Sequence, residues 1–590
     1  MEFQLRALST AGMHARRRAI ERAHSIGVIL QLVKALLSEQ TKIRPQASTV
    51  LGALCLSAAL IAACETDPVY LGVAGSGEAP FECEEERCFI EGTLSLEEVR
   101  NTFDSEAAAS EVKGGRLLPP IWHYPLEASM HPSNLGLLTL HLEHSGDDDT
   151  IYELLVRGEE STRRLYFPCF SAGGEGCLYQ VPEAFWSATA AEFSGQPVRL
   201  ELRAGDASGV SQADAREIEF SPSPVFGGLY YWSAELRGVY RFVFGGREAV
   251  PFVRPGTEAN REDCAGCHAV SRDGSTIAFT QGSSDAGEAV WENAAFEGAL
   301  KVAQVTSLES ASIEPAPSAS SDSGMMTLSS DGARVVSAYD FRLELRDTAS
   351  GEVLDALEMG STTPLFPEFH PEDGAVVVTL STSPHSEIAS EGGAIASVPI
   401  SGDQFGEPTV LVPATDGLSH YYPSWSPDGR FVAFVSGPEG ETSYDQSESR
   451  LRLVHVEDRT QFDLDRASGP LGSTSTWPKF APFSQCEDGT EDCEENQRVF
   501  FLSYSSKRRY GLVANGDGDV VRAQLWMSAI RVANAKDGGD PSSVPFWVPY
   551  QGSDTSNHLG YWTEALKCNA SSECGFGQIC RDGECEIIVR

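Results

Sequence analysis

At 590 residues the chain is too long for one hydrophobic core, which points to roughly two to four domains. Asp and Glu outnumber Lys and Arg by 85 to 44, and the formal charge of −41 repels nucleic acid and anionic lipid while attracting a basic protein partner. The 55 Gly and 32 Pro favour many short strands and turns over long helices, so the expected fold class is mainly β.

Residues 42–64 have the order of an export signal. A charged Lys42-Ile43-Arg44 precedes an apolar run from Val50 to Ala63, with small residues before Cys64. That run is shorter than the ~20 apolar residues a membrane-spanning helix needs. Ile61-Ala62-Ala63-Cys64 resembles the lipobox of bacterial lipoproteins, which implies lipidation of Cys64; Cys55 fits that pattern poorly. Residues 1–63 are then a signal with a long n-region carrying Arg16-Arg17-Arg18, or include a misplaced start. Residues 64–117 form an acidic tether with a Cys83/Cys88 loop and one helix near 96–111. With Cys55, Cys64 and the two motif thiols set aside, ten cysteines remain in close sequence pairs. Their even number suits five disulfides in an oxidising compartment.

Residues 118–222 hold short alternating runs, Leu137–Leu142, Ile151–Val156, Arg164–Phe170 and Val198–Arg203, separated by Gly/Asp/Ser turns. With the opening Pro119-Pro120-Ile121-Trp122 they resemble a fibronectin type III-like sandwich. Cys169 and Cys177 would close a hairpin loop. His123, His131, His141 and His144 read as scattered surface histidines, and no catalytic constellation occurs here.

Cys264-Ala265-Gly266-Cys267-His268 is the motif that carries chemistry. In an exported protein, C-x-x-C-H reads as covalent haem attachment, with Cys264 and Cys267 as thioether donors and His268 as the proximal iron ligand. Chance placement yields the pattern only about 0.01 times in a chain of this composition. The competing readings are a thioredoxin-like redox pair, half of a zinc site and a structural disulfide. The first sits poorly beside a turn followed by a strand, and the second lacks another Cys/His pair at suitable spacing.

A repeat runs through residues 225–565. Trp425-Ser426-Pro427-Asp428-Gly429 followed by Arg430–Phe434 is its fullest copy. Ser271–Gly274, Ser329–Gly332 and His370–Gly374 match it, while Phe480-Ala481-Pro482 and Trp562-Thr563 have lost the Asp-Gly. Such recurrence points to propeller blades, because each strand set buries its faces only against its neighbours. These residues resemble the TolB-like six-bladed β-propeller. Gly227–Ser233, Gly238–Gly245 and Ala249–Val253 would complete the blade whose innermost strand lies at the C-terminal end. Aligning Ser271 with Ser426 sets His268 against Pro423, just before the innermost strand and at one mouth of the channel. Met325, Met326, His420 and His558 are then the alternative distal ligands.

Among weaker signals, Asn515–Asp519 has calcium-loop spacing without a distal Glu and reads as a turn. Lys507-Arg508-Arg509 is a rare basic island. Cys568, Cys574, Cys580 and Cys585 in residues 566–590 resemble a short Cys-rich module with two disulfides of open connectivity. The expected function is a lipid-anchored monohaem c-type cytochrome of the cell envelope, facing periplasm or cell surface, with one covalent haem c and a redox partner protein. The alternatives are a TolB-like interaction scaffold with a structural or non-redox haem, and a haem enzyme such as a peroxidase.

Overall fold

The structure is a computed structural model that describes residues 87–587, apart from 104–116, 145–148, 170–175, 208, 254–262, 284–297, 306–310, 313–321, 324, 340, 383–390, 440–442, 445, 491, 514–520 and scattered positions from 565 to 583. The chain divides into two compact units, residues 1–68 and 69–590, and every described residue belongs to the second. The export signal, Cys64, Cys83 and the Asn515–Asp519 turn lie outside the described residues. No helix among the described residues is long and apolar enough to cross a membrane.

Two sheets form the N-terminal part. The larger runs Cys88–Ile90, Thr162–Pro168, Ile151–Arg157, Pro197–Asp206, Arg216–Phe220, Ser129–His131, with Gly209–Gln212 paired to Pro197–Asp206. The smaller holds Ile121–Tyr124, Thr139–Glu143 and Gly176–Gln180. Alternation fixes the buried face. Val198, Leu200, Leu202 and Ala204 are buried, while Arg199, Glu201 and Arg203 between them reach solvent. Leu96–Phe103 is helical, and so is Glu183–Glu192, which the sequence reading did not foresee. The second helix buries Phe185, Trp186, Thr189 and Ala190 at i, i+1, i+4 and i+5, one face of a helical turn.

His131 and His141 are buried, not at the surface as expected. The reason for His141 is a wedge from the C-terminal part of the fold. Tyr510 stacks on Trp547 at 4.0 Å and meets His141 edge-on at 4.4 Å and Tyr124 at 4.9 Å. Gly511 follows with φ +57, and a Cβ there would lie 2.1 Å from His141 Nδ1, so only glycine lets the wedge seat. The Leu512 amide donates to that Nδ1 at 3.2 Å. His131 shares a hydrogen bond of 2.9 Å with Ser129 Oγ.

Six larger sheets follow among the described residues, besides a two-stranded one of Gln578–Arg581 and Glu584–Ile587. Their innermost strands are Asn557–Thr563, Asp263–Val270, Met326–Leu328, Thr363–Phe369, Leu418–Trp425 and Thr476–Cys486. Each touches the next, and the last returns to the first, so the sheets close a ring and the fold is a β-propeller. The first sheet joins Asn557–Thr563 to Gly228–Ser233, Gly238–Val243 and Ala249–Val253, so residues far apart in sequence share one ladder. Core residues of the two N-terminal sheets and the propeller form one continuous cluster.

The S-x-D-G turns explain themselves. In the fullest copy Ser426 Oγ donates to Asp428, the Phe431 amide donates to Ser426 Oγ, and Gly429 turns with φ +69. Turns also interlock: the Asp273 amide donates to Ser330 O, and Ser330 donates to Asp373 and Pro371. In the fourth sheet the copy is out of step by one. Asp373, at φ +58, stands where the other turns have glycine, and its amide donates to His370 O.

Four disulfides occur among the described residues: Cys169–Cys177, Cys486–Cys493, Cys568–Cys580 and Cys574–Cys585. The last two resolve the connectivity the sequence leaves open, the first cysteine bonding the third and the second the fourth. The basic island is not a surface patch at its centre. Arg508 is inserted between blades, donating to Ala467 O and Ser468 O with its guanidinium 5.3 Å from the Trp526 ring.

Two outcomes follow. Tyr510→Ala should cost about 3–5 kcal/mol, as truncation of a buried aromatic does, read by urea unfolding. Burial also pushes His131 down to about 3 and His141 down to about 4. Unfolded histidine titrates near about 6.5. Stability from these groups should therefore be complete above that pH and decline as pH falls toward 4, seen as a falling unfolding midpoint.

Candidate functional site at the propeller axis

The CAGCH motif lies inside the innermost strand of the second sheet, Asp263–Val270, rather than before it. Cys267 has φ +44, and pairing with Thr276–Ser283 slips between Gly266 and Ala269. The same device recurs at Phe366, Tyr422, Trp477 and Leu559, with φ of +54, +55, +55 and +51 and matching slips in their ladders. A bulge at one level in five inner strands bends each around the axis. Phe366, Tyr422 and Trp477 meet in the middle, with ring centroids 4.4 Å and 3.8 Å apart along the row. His268 therefore matches Pro367, Pro423, Pro478 and Gly560, as the turn alignment requires.

Two residues past each bulge is a ring position occupied by Ala269, Glu368, Ser424, Lys479 and Tyr561, with Thr327 at the matching ladder position in the third sheet. These residues tie the sheets across the channel. Lys479 Nζ donates to Glu368, whose other oxygen accepts from Ser424 Oγ at 2.8 Å and the Trp425 amide at 2.9 Å. The ammonium stands 4.4 Å from the Tyr561 ring, and Tyr561 donates to Met326 O at 3.3 Å. Burial alone would push Lys479 down, yet Glu368 and Tyr561 hold it above its ordinary value. An open cleft of about 90 Å³ beside this ring is lined by Glu368, Lys479, Tyr561, Arg272, His370 and Trp425.

His268 is fully buried, and its Nε2 lies 3.0 Å from Tyr230 O. A carbonyl only accepts, so Nε2 carries the proton, and Nδ1 is bare, buried and without a polar partner among the described residues. Burial pushes the imidazole down to about 4, with Lys479 acting in the same direction against the Tyr230 carbonyl. The ring meets Tyr561 at 5.5 Å. Haem c needs an imidazole nitrogen facing a porphyrin-sized space beside both sulfurs. Here Nε2 is committed to a backbone carbonyl, and neither Cys267 nor His268 lines the axial cleft. As placed, Cys267 and His268 do not fit that group; the side chain of Cys264 lies outside the described residues.

The expected distal residues have surroundings of their own. Met325 and Met326 are both buried, and the backbone carbonyl of Met326 accepts from Tyr561, whose ring meets His268. His420 faces Ser436 at 2.8 Å in the fifth sheet, and His558 faces Tyr444 at 2.7 Å. Glu368, Lys479 and Tyr561 were missed by sequence reasoning. Their one signal is a charge or hydroxyl two positions before the turn residue in an otherwise apolar strand.

No known protein family and no curated protein matches the chain. Similar solved structures include a chain of the mitotic checkpoint complex (10% identity, TM-score 0.32, covering 61% of this chain and 86% of that one). An oligogalacturonate lyase from Vibrio parahaemolyticus is similar at 10% identity and TM-score 0.31, over 52% and 83%. The Cps50 (Swd1) β-propeller domain of Myceliophteria thermophila is similar at 13% identity and TM-score 0.26, over 48% and 86%.

The ion pair is the element to test. Glu368→Gln or Lys479→Met alone should destabilise by about 3–5 kcal/mol, because each strands a buried charge. The double change Glu368→Leu with Lys479→Met should recover most of that loss in urea unfolding followed by tryptophan fluorescence.

Proposed function

We propose that the chain is an exported, lipid-anchored protein-interaction scaffold: a TolB-like six-bladed propeller carrying a fibronectin type III-like sandwich and a C-terminal disulfide module. The observation that carries this reading is the filled axis. Among the described residues the polar side chains of the cleft floor are engaged across the sheets, Lys479 and Ser424 with Glu368 and Tyr561 with Met326 O, so the floor presents a fixed shape. The charge of −41 supports a basic partner, and the four disulfides support an oxidising compartment. The CAGCH spacing favours a second reading, a monohaem c-type cytochrome with a basic redox partner; the committed Nε2 of His268 counts against it.

Capture from solubilised envelopes with the full chain tests the scaffold. A basic protein should be retained at low salt and released as salt rises, and its retention should persist in protein shown to carry no haem. Capture of nothing across that series would remove the scaffold reading. Labelled fatty acid should enter the wild-type chain and not Cys64→Ser; absence of label from both would remove the anchor.

A further inference from the structure

The strands that close the propeller ring are contributed by Gly228–Ser233 and Asn557–Thr563, and their pairing slips between Tyr230 and Trp232. The next sheet grips both strands beside this slip. His268 donates to Tyr230 O on the first strand. Arg272 Nε donates to Glu564 at 2.5 Å, and the Glu564 amide donates to Arg272 O at 2.8 Å, just past the second strand. Tyr561, in the second strand, packs its ring against His268. At the position of His268 the other inner strands carry Pro367, Pro423, Pro478 and Gly560, none of which has a polar side chain to offer a neighbouring sheet.

We infer that the segment from Cys267 to Arg272 is a clasp that locks the ring-closing strands, and that His268 serves as its donor and not as an iron ligand. An imidazole suits the task because its apolar ring tolerates burial against Tyr561 while one N–H reaches a backbone carbonyl. The inference rests on this geometry and stands apart from the scaffold reading, so a failed partner capture leaves it intact.

The test uses the full chain produced in a host with c-type haem maturation. Wild type should show no haem stain on denaturing gels and no reduced haem band. Amide exchange should be slow across 557–563 in wild type and in the Cys264→Ser/Cys267→Ser double variant. In His268→Leu the same amides should exchange at least tenfold faster, with the unfolding midpoint lowered by a few degrees. Arg272→Gln should give a smaller change of the same sign. Covalent haem in wild type, lost in the cysteine variant, would overturn the inference, as would unchanged exchange at 557–563 in His268→Leu. Should His268→Leu fail to accumulate, the wild-type stain and the exchange of Arg272→Gln still decide the matter.

Discussion

Closure of the ring is the constraint on which the remainder depends. A sheet edge exposes unpaired amides and carbonyls, and without Asn557–Thr563 the first sheet would present Gly228–Ser233 as such an edge and leave the ring open. Pairing Asn557–Thr563 with Gly228–Ser233 covers that edge by placing both ends of the propeller segment in one ladder. The geometry is demanding, because every inner strand must curve around a narrow axis. The repeated left-handed residue meets that demand at Cys267, Phe366, Tyr422, Trp477 and Leu559, though none of them is glycine. Such conformations cost about 1–3 kcal/mol each and persist only where surrounding structure overdetermines them. Packed aromatic rings and the ion pair beyond them supply that determination.

Placing a carboxylate and an ammonium at the axis is a weak route to stability, since desolvation offsets most of their attraction. What Glu368 and Lys479 contribute is register. Glu368 accepts from Ser424 and Trp425 of one neighbouring sheet and from Lys479 two sheets away, and an apolar pair could not distinguish those positions.

Local chemistry made the turns legible in the sequence, because Ser, Asp and Gly act within five residues of one another. The fourth copy shows the limit: Asp373-Gly374 reads as the Asp-Gly pair, yet Asp373 takes the left-handed place itself. The strand partners of the closing sheet were legible too, since an unpaired inner strand needs three companions. The axial ring was not. Glu368, Lys479 and Tyr561 come from separate sheets, and only register brings them together. The CAGCH spacing was conspicuous, but spacing carries no information on whether the segment is helix or strand, and an extended strand in the core commits the imidazole elsewhere. The place of Arg508 was not legible for a similar reason, as three basic residues in sequence say nothing of what the middle one packs against. The helix at Glu183–Glu192 was missed because its apolar face spans barely two turns.

The ladder that closes the propeller also sets a clock. A chain emerging from its N-terminus makes the three strands between Gly228 and Val253 long before Asn557 appears. Until then the inner edge of that half-sheet is open, and its buried residues Leu229, Tyr230, Tyr231 and Trp232 lack their cover. The two N-terminal sheets precede them and have all their strands by Phe220, yet their core also waits for later residues such as Tyr510. Vectorial synthesis thus makes the last inner strand the step at which a growing, aggregation-prone intermediate becomes a finished protein.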